Sequence, residues 1–151
     1  MIDGIIATVV YTTVIIPKGH YERGEKYLAE KNWDEAIAEF NLAGASEKAQ
    51  ETKYDQANTL LSEENFDRAI SLFLELRGYK DADNLYKEGI YRRAKKAMSE
   101  GHYAKAYFDF NQIAGYKDAD DVLKTDSHVL AVKDKISAFT ATNRTVFFGR
   151  Y

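Results

Sequence analysis

Residues 54–82 read YDQANTLLSEENFDRAISLFLELRGYKDA, and residues 91–119 read YRRAKKAMSEGHYAKAYFDFNQIAGYKDA. Apolar and small residues stand at the same places in both segments, and both segments end in Gly-Tyr-Lys-Asp-Ala. A third, more divergent copy begins at Tyr21. A unit of two short helices cannot bury its apolar face alone, so neighbouring units must stack on one another. The repetition therefore predicts an array of helical hairpins.

Four alignment columns fix the register of the three copies. The four additional residues of the longer interval lie between Ala82 and Tyr91, and they add about one turn of helix at roughly 3.6 residues per turn. An insertion of that size keeps the apolar face of a helix nearly in phase. Every column is spaced by 33 residues and then by 37: Trp33, Phe66 and Tyr103; Ala36, Ala69 and Ala106; Phe40, Phe73 and Phe110; Ala49, Ala82 and Ala119.

Each copy has the pattern of two amphipathic helices. In the second copy, apolar residues recur at intervals of three and four along residues 54–61 and again along residues 66–76. The polar segment 62–65 separates the two stripes, and small residues at Ala57 and Ala69 allow the helices to approach closely. The sequence predicts an all-α fold, an α-solenoid of about three stacked hairpins plus a capping helix, with short β-prone or membrane-like ends.

The predicted organisation follows from these patterns. A hydrophobic leader comes first, the repeats follow, and a last unpaired helix closes the array before a tail that is rich in β-forming residues. The predicted segments are the leader at 1–17, the repeat region at 18–126 with copies at about 18–49, 50–86 and 87–122, the capping helix at 127–138, and the β-prone tail at 139–151.

The leader is the second informative feature of the chain. Residues 5–16 read IIATVVYTTVII without a charge, and Pro17 follows them. A helix that spans a membrane needs about 20 apolar residues, and this run is shorter. Three interpretations stay open: part of a membrane helix, a β-strand favoured by the β-branched content, or a buried segment that packs on the array. In a further variant of the strand interpretation, residues 5–16 pair with residues 139–151 in a small sheet.

Composition excludes several functional classes. The 151 residues are 45% hydrophobic and 30% charged, which is typical of a folded domain. The net charge is -3 without a basic block, so the electrostatic footprint of a nucleic-acid-binding protein is missing. No cysteine is present, which removes disulfides, thiolate metal sites and thiol nucleophiles. We therefore expect neither DNA nor RNA as a partner, and we expect no cofactor.

The repeat columns resemble the tetratricopeptide repeat superfamily. Tyr-Lys-Asp-Ala replaces the proline that usually ends each repeat, and the 37-residue step exceeds the usual period of about 34. This divergent form is similar to the Tyr-Lys-Asp-(Ala/Ser) repeats of bacterial surface proteins that carry a membrane helix, then repeats, then a further domain. The resemblance covers about residues 18–126. Its columns are the small residues Gly24, Ala57 and Ala94 and the pairs Ala36/Phe40, Ala69/Phe73 and Ala106/Phe110.

The end of the chain extends this resemblance. Residues 146–151, VFFGRY, are similar to the opening strand of the extracellular domain that often follows such repeats, with its Phe-Gly-x-Tyr signature. On this interpretation both ends are cut from a longer protein, and the chain is the stalk between an anchor and a head domain.

No catalytic constellation is visible in the sequence. His20, His102 and His128 are scattered, without a second histidine or carboxylate at metal-ligand spacing, and we interpret them as solvent-facing turn residues. The carboxylates of the repeats, Glu63 and Glu64 among them, have no nucleophile or phosphate-binding loop beside them. The sequence therefore predicts a protein that is not an enzyme and has no metal site.

A peptide-binding groove is the candidate functional site. In tetratricopeptide proteins, residues at this position of the first helix line the concave groove, where rings give apolar contact and polar heads give orientation. The alternative is that each tyrosine packs in its own hairpin and only turns its hydroxyl to water. The candidate groove residues are Tyr21, Glu25, Tyr54, Asn58, Tyr91 and Lys95.

The sequence thus favours a helical-repeat scaffold that acts as a spacer and protein-interaction segment of a bacterial membrane-anchored surface protein. Its repeats are expected outside the cytoplasm, and its partner is expected to be a protein or peptide. The alternative is a free-standing soluble adaptor, cytoplasmic in location, that binds a peptide in its concave groove. A homo-oligomer that buries the leader between subunits is a third interpretation.

Overall fold

The computed structural model describes the backbone of residues 2–148 and the side chains of residues 5–141. Within that part of the chain all regular structure is helical, which confirms the predicted all-α class. The chain divides into two compact units, Met1–Asp83 and Asn84–Tyr151. The helices are α1 (Ile2–Val10), a π-helical turn (Tyr11–Ile15), α2 (Ile16–Ala29), α3 (Trp33–Leu42), α4 (Ser46–Ser62), α5 (Phe66–Glu75), α6 (Ala82–Ser99), α7 (Tyr103–Gln112), α8 (Ala119–Thr125) and α9 (Ser127–Phe148).

The first unit contains two helical hairpins in succession. Helix α2 packs on α3, α3 packs on α4, and α4 packs on α5. Ala36 and Phe40 of α3 are fully buried together with Ala49 of α4, and Tyr27 and Leu28 of α2 cover them. The repeat residues of the first copy therefore form the apolar contact between its own hairpin and the next helix.

The second unit contains the third hairpin and the C-terminal helices. Helix α7 packs on both α8 and α9. Its residues Ala106 and Phe110 are fully buried, as are Ala119 at the start of α8 and Val129 in the first turn of α9. The segment predicted as a capping helix at 127–138 is thus helical and covers the last hairpin, although the helix continues beyond residue 138.

The repeat columns coincide with the centre of each hairpin. Each copy buries its alanine and phenylalanine completely: Ala36 and Phe40, Ala69 and Phe73, Ala106 and Phe110 are all 0% exposed. The small residue of the first helix faces the phenylalanine. In the first copy the approach is so close that a Cβ built on Gly24 would lie 2.7 Å from Cε1 of Phe40. Hence the first copy has room only for glycine unless Phe40 shifts, whereas the other two copies have alanine in this column.

The turn between the two helices of each hairpin is also repeated. Lys31 (φ 59°), Glu64 (φ 59°) and Gly101 (φ 77°) occupy the same alignment column, and all three have left-handed backbone. The amide of the next residue then bonds to a carbonyl of the first helix, as in His102 to Ala97 at 2.7 Å. This bond is typical of the helix-ending motif in which a left-handed residue reverses the chain. Only the third copy supplies the glycine that this conformation favours.

Substitutions at this turn have predictable signs. We expect Lys31→Gly to raise the free energy of unfolding by about 0.5 kcal/mol, because relief of left-handed strain exceeds the entropy cost of glycine. Gly101→Ala should lower it by about 1 kcal/mol, since no atom lies within 4 Å of the added methyl and only strain remains. Urea unfolding monitored by circular dichroism measures both effects.

A helical glycine provides the matched control for these turn variants. Gly19 lies inside α2, where a Cβ would meet only the tip of Arg23 at 3.7 Å. Gly19→Ala should therefore stabilise the chain by about 0.5–1 kcal/mol. A Gly101→Ala variant that gained stability as Gly19→Ala does would contradict the left-handed turn.

The leader is helical, so the prediction of a strand at residues 5–16 is wrong. Helix α1, the π-helical turn and α2 follow one another without a break. The hydroxyl of Thr12 donates to the carbonyl of Thr8 at 3.0 Å, and that of Thr13 donates to Val9 at 2.7 Å. A helix satisfies its own backbone polar groups, whereas a strand needs a neighbouring strand, and the described residues 2–148 contain none.

The apolar side chains of the leader are not packed on the hairpins. Its large side chains are exposed, from 39% at Ile16 to 65% at Ile5. The interpretation of the leader as a segment buried against the array is therefore also wrong. Among the helices that the structure describes, none has both the length and the apolar character required to cross a membrane.

The C-terminal segment differs from the prediction as well. Helix α9 runs to Phe148, so the predicted β-prone tail is helical over residues 139–148, and residues 149–151 lie outside the described part of the chain. A sheet between residues 5–16 and the tail is excluded for the described residues for the same reason. Threonine in this helix directs its hydroxyl to the preceding turn, as Thr140 does to the carbonyl of Ile136 at 2.8 Å.

Candidate protein-interaction surface

The predicted groove residues lie on the first helices of the three hairpins. In each hairpin a tyrosine and a polar residue stand four positions apart on one face of the helix. The pairs are Tyr21 and Glu25 on α2, Tyr54 and Asn58 on α4, and Tyr91 and Lys95 on α6.

Tyr54 is enclosed by the turn that follows its own hairpin. Its hydroxyl donates a hydrogen bond to Oδ1 of Asp81. The ring of Tyr79 lies 5.9 Å from the ring of Tyr54, and Nζ of Lys80 lies 4.9 Å from the centre of the Tyr54 ring. Asn58 donates its amide to the backbone carbonyl of Tyr54 at 3.0 Å. Both the ring and the hydroxyl of Tyr54 thus have partners within the chain.

Tyr91 has the same environment in the second unit. Its hydroxyl is hydrogen-bonded to Asp118. The ring of Tyr116 lies 6.1 Å away, and Nζ of Lys117 lies 4.6 Å from the centre of the Tyr91 ring. Lys95 adds an ion pair to Asp118 at 3.9 Å. The Gly-Tyr-Lys-Asp-Ala ending of the two copies therefore has a structural role in closing the hairpin.

The two closing turns each hold a lysine in a left-handed backbone conformation. We call residues 79–81 and 116–118 the Tyr-Lys-Asp turns. Lys80 (φ 47°) and Lys117 (φ 49°) have left-handed backbone although they are not glycines. Each ammonium lies above a tyrosine ring and also pairs with a glutamate of the first helix, Glu51 for Lys80 and Glu88 for Lys117. The attraction of the cation to the rings and to the carboxylate offsets the backbone strain.

Three tyrosines resist ionisation: Tyr54 and Tyr91, which are enclosed by these turns, and Tyr116. The pKa of Tyr54 is raised by its hydrogen bond to Asp81 and by burial, and the pKa of Tyr91 is raised by its bond to Asp118 and by burial. Burial, together with the bond from its hydroxyl to Glu88, raises the pKa of Tyr116 to about 12. Each phenol must remain neutral to donate its hydrogen bond.

Alkaline stability follows from these shifts. A pKa that is higher in the folded state contributes stability that is complete below the unfolded value of about 10 and is lost as the pH rises through the folded value. We expect part of the tyrosine absorbance change at 295 nm to occur only between about pH 10 and 12, together with loss of helical circular dichroism. Tyr54→Phe and Tyr116→Phe should each reduce this late fraction. Ionisation of all tyrosines in a single step near pH 10, with the helices intact, would contradict the enclosed geometry.

Tyr21 is the exception among the three tyrosines. Its ring packs on Phe40 with the centroids 5.3 Å apart, but it is 40% exposed. The first copy has Ser46 in the column of Tyr79, so it lacks the second ring. Glu25, one turn further along α2, pairs with Lys48 at 3.5 Å. Of the predicted groove tyrosines, only Tyr21 is exposed and lacks a tyrosine ring from a closing turn beside it.

Arginine–carboxylate pairs between the two helices of a hairpin were not predicted from the sequence. Arg93 donates from Nε and Nη2 to the two carboxylate oxygens of Asp109 at 2.9 and 2.6 Å. Arg23 and Glu39 occupy the same columns in the first copy, with Nε of Arg23 3.0 Å from Glu39. The second copy has Gln56 and Leu72 there instead. An arginine and a carboxylate recur in the same two columns of the first and third copies, and this recurrence could have revealed the pairs from the sequence.

Two histidines, His20 and His128, lie in helices and not in the turns that the sequence predicted. His20 lies within α2, not in a turn, and its Nδ1 is 2.7 Å from Oε2 of Glu39 with only 21% of its side chain exposed. The bond from His20 holds the pKa of Glu39 below its usual value, and Arg23 acts in the same direction. His102 and His128 are exposed, as predicted, at 66% and 60% of their side chains, but the ring of His128 stacks on that of Tyr103 with the centroids 4.4 Å apart. The contacts of His20 join the two helices of the first hairpin.

The described side chains do not form a group of three or more histidines and carboxylates that could hold a metal ion. Several ion pairs of the described residues join helices to one another or to the Tyr-Lys-Asp turns. Comparison of the chain with family models, curated proteins and solved structures found no match.

Proposed function

We propose that this chain is a non-enzymatic helical-repeat scaffold whose hairpins stack into an α-solenoid. It acts as a spacer and as a protein-interaction module, and its leader attaches it to a membrane at the surface of a bacterial cell. The observation that carries this proposal is the identical use of the repeat columns. Three hairpins bury the same alanine and phenylalanine, and the closing turns use their charged residues for packing.

Membrane attachment is supported by the leader. It is a helix without charged residues from position 5 to 16, its threonine hydroxyls bond to its own backbone, and its apolar side chains are exposed. These properties suit an apolar environment, in which every polar group must find a partner within the helix. The resemblance to repeats of anchored surface proteins agrees with this role.

Liposome flotation tests the attachment. We expect the full chain to float with vesicles and the double variant Val9→Asp/Val14→Asp to remain in the soluble fraction, because a buried charge in a bilayer costs about 2.5–3.5 kcal/mol. The matched control is Leu42→Asp/Leu74→Asp, two exposed apolar residues outside the leader. Equal flotation of both double variants would contradict attachment through the leader.

The second candidate is a soluble adaptor that binds a peptide, and the uncovered ring of Tyr21 is the observation that favours it. Selection from a displayed random-peptide library against the full chain tests the interaction function common to both candidates. We expect enriched peptides that share a consensus and bind saturably in fluorescence anisotropy. Enrichment no greater than on an unrelated helical protein would contradict the interaction function.

A further inference from the structure

The second and third repeats each close their hairpin with three charged residues. The first repeat has residues of the opposite charge at the three equivalent positions. In the second and third copies a glutamate, a lysine and an aspartate surround the tyrosine of the first helix. Subtraction of 33 and 70 residues gives the equivalent positions of the first copy, where all three signs are reversed. The columns are Glu51, Glu88 and Lys18; Lys80, Lys117 and Glu47; Asp81, Asp118 and Lys48.

These replacements prevent the first repeat from closing over Tyr21. Ser46 has no ring to place beside Tyr21, and Lys48 has no oxygen to accept a hydrogen bond from the Tyr21 hydroxyl. Helix α4 already begins at Ser46, whereas α6 begins at Ala82, three columns later. The same segment borders an open cleft of about 590 Å³ lined by Ser46, Glu47, Lys48, Glu51 and Tyr79 among others.

Two lysines are neighbours of Tyr21, one on the same face of α2 and one beside the Phe40 ring. Lys18 lies three positions before Tyr21 on the same face of α2. Nζ of Lys48 is 5.9 Å from the centre of the Phe40 ring, on which Tyr21 packs. We call Lys18, Tyr21, Glu25 and Lys48 the Tyr21 face.

The ion pairs of these lysines are exchangeable. Lys18 is 3.8 Å from Glu22, and both side chains are more than two-thirds exposed. Lys48 lies 3.5 Å from Glu25 and 3.8 Å from Glu51. Pairs of this length and exposure contribute about 0–1 kcal/mol, so a carboxylate with better geometry can replace them.

We propose that the Tyr21 face binds a segment of a partner protein in which an aromatic ring stands between carboxylates. The ring takes the place that Tyr79 has beside Tyr54, and the carboxylates bind Lys48 and Lys18. This inference rests on the proposed interaction function and adds to it the location and the chemistry of the site. The internal turns supply the model for the aromatic contact, and a copy of the Tyr-Lys-Asp turn is disfavoured as the occupant because its lysine would meet Lys18 where the other copies have a glutamate.

Peptide titration of the full chain, labelled with ¹⁵N and followed by NMR, tests this site. The probe is acetyl-Gly-Asp-Phe-Asp-Gly-amide, and the controls replace both aspartates with asparagine, both with lysine, or the phenylalanine with alanine. We expect the probe to shift amides within residues 18–25 and 46–49 and to bind at least threefold more tightly than every control. Amides around Tyr54 and Tyr91 should not move, because those rings are already covered.

Charge variants provide the second arm of the test. Lys48→Glu should raise the Kd of the probe about tenfold, since it replaces an attraction with a repulsion close to the ring. Lys26→Glu, an exposed lysine of α2 with the same charge change, should alter the Kd less than twofold. The helical circular dichroism of both variants checks that they remain folded.

Each remaining outcome overturns the inference. Shifts confined to residues outside the Tyr21 face, equal binding of the asparagine control, or equal effects of the two charge variants would do so. Shifts at the face that grow with protein concentration in the absence of peptide would show that a second copy covers it. Library peptides that bind elsewhere on the repeats would leave the interaction function standing and refute only this site.

Discussion

Phe73→Ala is expected to lower the free energy of unfolding by about 3–5 kcal/mol, the largest effect of any single truncation in the first unit. Phe73 is fully buried in the second hairpin, where its ring lies 6.2 Å from that of Tyr54. Its removal takes away the buried aromatic surface and leaves a cavity beside Ala57 and Ala69, which cannot fill it. Urea unfolding monitored by circular dichroism measures the loss.

The matched control for this variant is an exposed phenylalanine of the same kind of helix. Phe108 of α7 is 59% exposed, and Phe108→Ala should change the stability by no more than about 0.5 kcal/mol. Similar losses in the two variants would contradict the assigned register, because a shift of one column would exchange buried and exposed positions.

Asp109→Ala is expected to cost about 3 kcal/mol in the second unit. The carboxylate of Asp109 is 7% exposed and receives two bonds from Arg93, whose side chain is 19% exposed. Its removal leaves the largely buried guanidinium without the acceptor of these two bonds. Chemical unfolding of the full chain measures the effect, and Glu22→Ala, which breaks the exposed pair with Lys18, should change the stability by less than about 1 kcal/mol.

The second copy suggests how to rescue this variant. It has Gln56 and Leu72 in the columns of Arg93 and Asp109. The double variant Arg93→Gln/Asp109→Leu should therefore recover most of the stability that Asp109→Ala loses, because the neutral glutamine leaves no unpaired buried charge and the leucine restores buried volume. A double variant that is less stable than Asp109→Ala would show that the arginine has a role beyond this pair.

The hairpins could be predicted from the sequence because their signal is redundant. Columns such as Ala36 and Phe40 recur twice more, and burial of a small residue against a ring admits few arrangements. The two ends carry no such repetition. The strand interpretation of the two ends rested on β-propensity and, for the tail, on a resemblance, and propensity yields to the ability of a helix to satisfy its own backbone when no strand is present to pair with.

The groove prediction failed to anticipate how the repeats close. Tyr54 and Tyr91 stand at positions that line a groove in the resembling family, yet the left-handed lysines of the Tyr-Lys-Asp turns bring partners onto both rings. Nothing in the local sequence reveals that a lysine adopts positive φ. The reversed charges of the first copy were visible in the alignment columns, but their meaning depends on knowing what those charges do in the other two copies.

Distances between spin labels test the proposed continuous array most directly. The chain has no cysteine, so pairs can be introduced at the exposed, equivalent positions Ala38, Ser71 and Phe108 without removing a native thiol. Double electron–electron resonance measures the distance between the two labels of each pair. If the three hairpins stack as one solenoid, the distance distributions of the pairs 38–71 and 71–108 should each be single and narrow, and their means should be closely similar. A broad distribution for 71–108 beside a narrow one for 38–71 would contradict the array and leave two independent units.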